Sequence, residues 1–284
     1  MTDDRIKVLY IAGVGRSGST ILGALLGQVE GLFFGGEIGA LFERVAERLC
    51  GCGERLEECA LWRSVFERAM GRRLDLREIY LQGRGLRGAT PGGLETFLAQ
   101  LYRSILTVTG SRAIVDSSKS VSYGRVLSRI PGIDLHVVHL IRDPRAVAFS
   151  WGRTKPSPRT GGYFPRKRAG RSVLEWVAYN AATEVVLGGK RVKQRRLRYE
   201  DFIAHPGETL EQLLRWLGDG AATAGVAEGR VVLRTCHTVA GNADRFHTGE
   251  VVLRCDDEWK RRMGWLARGG VSLATWPLRW RYGY

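Results

Sequence analysis

Residues 13–20, GVGRSGST, place three glycines, an arginine and three hydroxyl side chains directly after the apolar run VLYIA at residues 8–12. An apolar run, a glycine-rich turn and a helix in succession form a junction whose main-chain N–H groups and helix dipole can hold an anion. The glycines allow a tight turn without side-chain clashes. The segment therefore predicts an anion site, and a plain strand-to-helix turn is the alternative.

The loop departs at one position from the nucleotide-binding pattern G-x-x-x-x-G-K-[ST]. Its outer glycines and Thr20 match, but Ser19 stands where that pattern has a lysine that reaches the phosphates. Arg16 supplies a cation three residues earlier. Asp116, which ends a second apolar run, is followed within three residues by Lys119. These residues favour an anion that is held directly by cations, with less need for a metal ion.

A second candidate anion site lies in IRDPRAVAFSW at residues 141–151. Arg142 ends an apolar run, and Asp143 and Pro144 are typical of a helix start. Ser150 follows about two helical turns later, on the same face as Arg142. An arginine and a hydroxyl that converge on one point suit a phosphate monoester. The alternative is that Arg142 pairs with a local carboxylate, either Asp143 or Glu175.

Three segments in order carry a resemblance to a known family. RSGST at 16–20 resembles the 5′-phosphosulfate loop of sulfotransferases that use 3′-phosphoadenosine 5′-phosphosulfate (PAPS), and the segment 141–151 resembles their 3′-phosphate motif. RYEDF at 198–202 is similar to the R-Y-E-D-L of the same family. The match is closest to the branch of tyrosylprotein and bacterial sulfotransferases. The resemblance implies a P-loop NTPase-like sulfotransferase fold.

The resemblance also implies a reaction, namely in-line transfer of a sulfuryl group from PAPS to a hydroxyl of a small-molecule or natural-product acceptor. Arg16 and the backbone of residues 17–20 are expected to hold the 5′-phosphosulfate, and Lys119 to stabilise the leaving group. Glu37, in LFFGGEIGALF, matches the glutamate that serves as general base in the tyrosylprotein branch. For Glu37 the alternative is a glutamate at a helix start that interacts favourably with the helix dipole. For Lys119 the alternative is a solvated lysine at a helix start.

Late in the chain, CHTVAGNADRF at residues 236–246 resembles loops that close over the cofactor in this branch. The catalytic prediction is Glu37, Lys119 and Arg16. The residues predicted to bind the nucleotide are Arg16, Ser17, Gly18, Ser19, Thr20, Arg142, Ser150, Tyr199, Asn242 and Arg245. For Tyr199 the alternative is plain packing.

Charge and composition limit the other function classes. The 284 residues include 44 Lys and Arg against 29 Asp and Glu, a formal charge of +15, which favours an anionic ligand. No nucleic-acid-binding motif is recognisable, and no apolar run reaches the roughly 20 residues that span a bilayer. The sequence predicts a cytoplasmic enzyme with no nucleic-acid or membrane partner. A kinase or NTPase with a degenerate P-loop, and a basic binding protein, are the competing hypotheses.

Three of the five cysteines lie close together in CGCGERLEEC, as Cys50, Cys52 and Cys59. Their spacing is not typical of zinc sites, and no fourth ligand is near them in sequence. A disulfide is an alternative that a cytosolic location disfavours. The sequence therefore predicts ordinary thiols and no metal site, and a structural metal is a further alternative.

The elements that must position these residues alternate between strands and helices, which indicates one α/β domain over residues 1–284 with a central parallel sheet flanked by helices. A long loop is expected at 154–170, and the acceptor pocket is expected to draw on 38–100 and on that loop. The predicted strands are 6–12, 32–36 at an edge, 112–116, 134–141 and 195–202. The predicted helices are 19–29, 38–49, 60–70, 93–108, 172–188, 207–218 and 256–267. Two more helices are predicted to begin after residue 119 and after residue 142.

Overall fold

A computed structural model describes residues 5–42, 49–71, 93–154, 162–163, 166–189, 192–218 and 229–284. Five parallel strands form a sheet in the order β2-β3-β1-β4-β5. They are β1 (Ile6–Ala12), β2 (Leu32–Gly36), β3 (Ala113–Lys119), β4 (Ile133–Ile141) and β5 (Lys193–Arg198). The predicted central parallel sheet is confirmed.

Strand β1 is almost entirely apolar because helices cover both faces of the sheet. Along β1, Val8 and Tyr10 belong to one buried cluster, with Trp62 and Tyr102, and the alternate residues belong to the cluster on the opposite face. The flanking helices are α1 (Ser19–Leu26), α2 (Ala60–Met70), α3 (Gly93–Thr109), α4 (Val121–Leu127), α5 (Pro144–Gly152), α6 (Ala169–Leu187), α7 (Tyr199–Ala204) and α8 (Pro206–Leu217).

Most of the predicted elements up to residue 218 agree with the structure to within a few residues, and larger differences occur at three places. The predicted strand 195–202 is wrong beyond Arg198, where α7 begins. The predicted helix 38–49 is a short 3-10 helix over Ile38–Phe42, and residues 43–48 lie outside the described ones. Most of the predicted loop 154–170 also lies outside them, and α6 begins within it.

The last part of the chain is more regular than the sequence predicts. Strands β6 (Arg230–Leu233) and β7 (Gly249–Val252) pair in antiparallel fashion. Helix α9 (Trp259–Arg262) precedes α10 (Trp265–Arg281), which contains Pro277. Two adjacent glycines and that proline lower the helix propensity of α10, so the local sequence does not reveal it. No helix within the described part of the chain is long and apolar enough to cross a membrane.

Candidate active site

A cleft of about 550 Å³ lies at the carboxyl ends of the parallel strands. Each strand contributes a lining residue at this edge: Arg16 follows β1, Glu37 follows β2, Lys119 ends β3, Arg142 follows β4 and Tyr199 follows β5. The chain leaves β1 and β4 toward opposite sides of the sheet, and open α/β sheets bind ligands at such a switch point. Of the residues that the sequence predicts for the site, the following line the cleft: Arg16, Gly18, Ser19, Thr20, Glu37, Lys119, Arg142, Ser150, Tyr199 and Asn242.

The loop after β1 is shaped by residues in the left-handed backbone region. Gly13 has a φ of 137°, and a Cβ added there would lie 2.3 Å from the carbonyl oxygen of Leu140. Gly18 has a φ of 93°, and its added Cβ would lie 2.4 Å from the ring of Tyr199. Arg16 adopts a φ of 73° although it is not a glycine. Strain at a non-glycine residue is common at ligand-binding sites, and here it turns Arg16 toward the cleft.

The amino-terminal end of α1 faces the cleft without a side-chain cap. Gly18, and neither of the flanking serines, is the N-cap residue, and no side chain among the described residues caps the first turn. Ser17 is buried, its hydroxyl donates to the carbonyl of Val14 (2.8 Å), and unlike its neighbours Arg16 and Gly18 it does not line the cleft. The uncapped first turn, with Ser19 and Thr20 lining the cleft, is suited to an anion.

Arg16 is held between an amide and an aromatic ring. Its Nη1 donates to Oδ1 of Asn242 (2.8 Å), and its guanidinium lies 4.8 Å from the centre of the Trp151 ring. Burial lowers the pKa of Arg16, and the carboxylate of Asp244 opposes that shift. The guanidinium remains charged at neutral pH, and its partial removal from water strengthens its attraction for an anion.

Arg142 is 6% exposed and reaches the cleft from the end of β4. Its Nη1 donates to the carbonyl of Arg16 (3.1 Å), and its Nη2 donates to the main-chain oxygen of Asp256 (3.1 Å) and lies 3.2 Å from the Asp256 carboxylate. The guanidinium stacks on Tyr199, 4.5 Å from the ring centre, and burial keeps the pKa of that phenol above its usual value. The Nε of Arg142 is buried with no hydrogen-bond partner among the described residues.

The carboxylate that pairs with Arg142 is not one of the two that the sequence suggests. Asp143 is the N-cap of α5 and bonds Arg145, while Glu175 pairs with Lys167. Asp256 lies after β7 and also pairs with Arg153. Burial alone would raise the pKa of Asp256, but Arg142 and Arg153 hold it below its usual range.

Glu37 and Lys119 form an ion pair across the cleft, between the Nζ of the lysine and Oε1 of the glutamate. Their side chains are 26% and 17% exposed, so both are accessible to a ligand. The main-chain N–H of Glu37 donates to the carbonyl of Ala240 (3.1 Å), which ties the residue to the loop at 236–246. Lys119 has a φ of 65°, a second strained non-glycine residue at this edge of the sheet. A carboxylate and an ammonium group are therefore adjacent where a reacting group can reach both.

Asp116 does not reach the cleft. It is fully buried, and it accepts hydrogen bonds from the Tyr102 hydroxyl and from the main chain and hydroxyl of Ser118. Burial raises the pKa of Asp116 to about 6, although these hydrogen bonds oppose the shift. Ser118 in turn accepts from the N–H of Gly39 (2.8 Å), just after Glu37. Asp116 therefore supports the wall of the site from inside the core.

Arg245 has a different position from the one that the sequence predicts. It does not line the cleft, and its guanidinium donates to the carbonyls of Thr238 (2.8 Å) and Leu49 (2.7 Å). The cysteine loop also differs from expectation, because the imidazole of His237 lies against it and supplies the fourth donor that the local sequence lacks. None of the five cysteines is in a disulfide.

The lining residues that the sequence-based prediction misses include Trp151, Lys167 and Asp256. Trp151 directly follows Ser150, and its ring also lies under the Nζ of Lys167, 3.8 Å from the ring centre. Trp151 could have been predicted as a lining residue, because it directly follows Ser150, which is itself a predicted nucleotide-binding residue. Lys167 sits in a run of basic residues, and Asp256 has no local signal at all.

Comparisons with known proteins agree with this architecture. The family model described as the sulfotransferase family matches residues 9–219. The solved sulfotransferase domain from the Synechococcus PCC 7002 olefin synthase has a TM-score of 0.59 at 20% identity, covering 99% of this chain and 96% of that one. The sulfotransferase domain from the curacin biosynthetic pathway has a TM-score of 0.58 at 19% identity, covering 96% and 97%. At these identities the likeness concerns the fold.

Among curated protein sequences, no significant match to this chain is found. The family match nevertheless extends over most of the chain, and it includes the loop after β1, the end of β4 and the RYEDF segment. The chain therefore belongs to the sulfotransferase family.

Proposed function

We propose that the protein transfers a sulfuryl group from PAPS to a hydroxyl of a small-molecule acceptor. The observation that carries this proposal is the convergence of Arg16, Arg142 and an uncapped helix start on one cleft. The cleft volume of about 550 Å³ is within the usual range for small-ligand sites. Two arginines suit a ligand with two separate anionic groups.

Donor binding is assigned to two subsites. The 5′-phosphosulfate would lie on the first turn of α1, with Ser19, Thr20 and the guanidinium of Arg16 as donors. The 3′-phosphate would accept hydrogen bonds from Arg142 and Ser150. The buried Nε of Arg142, which has no hydrogen-bond partner among the described residues, supports this assignment because such a donor is costly to leave unpaired.

The carboxylate of Asp256 accounts for how Arg142 is held without a nucleotide. Asp256 is 31% exposed on its side chain and has Arg153 as a second cation. A phosphate could therefore replace one contact of Arg142 without leaving Asp256 unpaired. This exchange favours a ligand with at least the charge of the carboxylate it displaces.

The chemical step is assigned to Glu37 and Lys119. When bound, PAPS supplies the sulfuryl group and leaves as adenosine 3′,5′-bisphosphate. The acceptor oxygen forms a bond to sulfur while the bond from sulfur to the 5′-phosphate oxygen breaks, and the carboxylate of Glu37 takes the acceptor proton. Lys119 donates a hydrogen bond to the departing oxygen, and Arg16 offsets charge on the transferred group. The ion pair between Glu37 and Lys119 keeps both groups in the cleft until substrates separate them.

The competing kinase or NTPase hypothesis meets two obstacles in this chain. Ser19 replaces the lysine that reaches nucleotide phosphates in P-loop enzymes, and the nearest cation in the loop, Arg16, stands three residues earlier. Asp116, the best candidate in β3 for a metal-binding acid, is enclosed by Tyr102 and Ser118. These observations favour a nucleotide that is bound by arginines over one that is bound by a P-loop lysine and a metal ion.

Thermal unfolding with two ligands tests the proposal. At 100 times its dissociation constant, a ligand stabilises the native state by about 2.7 kcal/mol. For a chain of this length, that corresponds to a rise of about 4 to 5 °C in Tm. Adenosine 3′,5′-bisphosphate should produce this rise, and ATP with Mg²⁺ should produce little.

Transfer of labelled sulfate from PAPS to a panel of hydroxylated small molecules then tests catalysis. A response to ATP–Mg²⁺ alone would support the kinase hypothesis. The absence of a response to either ligand, with salt-dependent DNA binding, would support a basic binding protein.

A further inference from the structure

Four side chains with soft or borderline metal-binding atoms converge away from the cleft. Cys50, Cys52 and Cys59 come from the loop that precedes α2, and His237 comes from the loop that follows β6. Their three Sγ atoms and one imidazole nitrogen all lie within 4.8 Å of one another. We propose that these four residues bind one Zn²⁺ ion in a closed, structural site.

The distances agree with a tetrahedral zinc site. With Zn–S bonds of about 2.3 Å and a Zn–N bond of about 2.0 Å, the edges of such a tetrahedron are about 3.8 Å between sulfurs and about 3.5 Å from sulfur to nitrogen. The Sγ atoms of Cys52 and Cys59 are 3.9 Å apart. The Nδ1 of His237 lies 3.6 Å from the Sγ of Cys50 and 3.3 Å from that of Cys59.

The same distances argue against a disulfide in this cluster. A disulfide requires an S–S distance of about 2.0 Å. The separation of 3.9 Å between Cys52 and Cys59 is almost twice that value, and the imidazole of His237 shares the space between the sulfurs. Three thiolates and one imidazole are a donor set typical of structural zinc.

Main-chain contacts hold the two loops in this arrangement. The N–H of Cys50 donates to the carbonyl of Glu54 (2.7 Å), and that of Gly53 donates to the carbonyl of Cys50 (2.9 Å), which folds the first loop into a tight turn. The indole N–H of Trp62 donates to the carbonyl of His237 (2.9 Å). A Cβ on Gly51 would lie 2.0 Å from the carbonyl oxygen of Cys236, so the loops approach as closely as backbone allows.

Arg245 supplies a charge that matches the proposed site. Three thiolates, one neutral imidazole and a Zn²⁺ ion carry one net negative charge. The guanidinium of Arg245 donates to the carbonyls of Leu49 and Thr238, and these residues directly precede Cys50 and follow His237. The guanidinium is therefore bonded to both loops next to the proposed zinc ligands, and this gives Arg245 a role outside the cleft.

The site would be structural because four protein ligands leave no open position, and none of the four lines the cleft. Its effect would reach the cleft through the chain that follows His237. The N–H of Val239 donates to the carbonyl of Gly35 (2.9 Å), and the carbonyl of Ala240 accepts from Glu37. We therefore expect the metal to fix the loop that places Asn242 against Arg16.

Metal analysis of the full chain, purified with a tag that lacks histidine and without chelators, tests the proposal. We expect about one zinc per chain. Cys52→Ser alters the half-buried ligand and should lower zinc affinity at least ten-fold. The matched control Cys255→Ser replaces an exposed cysteine outside the cluster and should retain full zinc content.

A second measurement applies even if the ligand variant does not fold. Wild-type protein stripped of metal under reducing conditions should take up Co²⁺ with the visible absorption of a tetrahedral cobalt thiolate site, and zinc should displace it. Zinc below about a tenth of an equivalent together with no cobalt band would overturn the proposal. So would equal zinc loss in Cys52→Ser and Cys255→Ser, or a disulfide found by titrating thiols in the unfolded chain.

Discussion

Arg142→Ala should remove the selectivity of the protein for a 3′-phosphate. The buried Nε of Arg142 has no hydrogen-bond partner among the described residues. Its Nη2 pairs with Asp256, which is also paired with a second cation, Arg153. The 3′-phosphate would thus gain about two hydrogen bonds to a charged donor. Each is worth about 1.5 to 3 kcal/mol, so we take about 3 kcal/mol in total for a cleft open to water. That energy corresponds to about a 150-fold change in affinity.

Calorimetric titration with two ligands isolates this effect. Adenosine 3′,5′-bisphosphate carries the 3′-phosphate and adenosine 5′-monophosphate does not, so the ratio of their dissociation constants should fall about 150-fold in Arg142→Ala. Loss of the support that Arg142 gives to the carbonyl of Arg16 weakens both ligands and cancels in the ratio.

Arg145→Ala is the matched control, because that arginine bonds Asp143 and lies outside the cleft. In Arg145→Ala the ratio of the dissociation constants of the two nucleotides should not change. If Arg142→Ala weakened both ligands equally, the assignment of Arg142 to the 3′-phosphate would be wrong.

Three further predictions concern catalysis, the loop after β1 and pH. Glu37→Gln should lower turnover by about 10² to 10⁴ while bisphosphate affinity changes little, and turnover within ten-fold of wild type would remove Glu37 as the base. Gly18→Ala should abolish measurable bisphosphate binding, because the new Cβ would overlap the ring of Tyr199 in a backbone conformation that disfavours alanine; calorimetry that returned wild-type affinity would contradict the loop geometry. The pKa of Asp116 is raised from 3.8 to about 6, so the native state binds the proton more tightly and the free energy of unfolding falls as pH rises through that window. Urea unfolding at pH 4 and pH 7 should show a fall that is about 2 kcal/mol smaller in Asp116→Asn than in wild type, and parallel pH profiles would refute the assignment.

The sheet could be predicted from sequence because its central strands are short segments rich in apolar residues. β1 and β4 lie buried on both faces, and each is followed by residues that start a helix, so local composition carries the signal. RYEDF shows the limit of this approach. It reads as a strand by composition, but the chain turns into α7 at Tyr199, whose ring packs against Gly18 and under Arg142.

The edge of the sheet that holds the site could also be predicted, because the carboxyl ends of parallel strands meet there. The hydrogen-bond and ion-pair partners of the site residues could not be predicted from the sequence. Asp256 bonds Arg142 across 114 residues of sequence, and Asn242 bonds Arg16 across 226. Arg245 is predicted at the nucleotide because the loop at 236–246 resembles loops that close over the cofactor, whereas in the fold its side chain turns toward the cysteine loop.

By itself the sequence determined the alternation of strands and helices, the glycine turn after β1, and the family through three short motifs. These features depend on residues within a few positions of one another, and local backbone preferences and apolar periodicity are enough to specify them. Only the tertiary structure decided that Asp256 holds Arg142, that Glu37 meets Lys119, and that His237 lies against three cysteines 178 to 187 residues away. Such contacts arise when packing of the core brings distant loops together, and no local pattern in the chain records them.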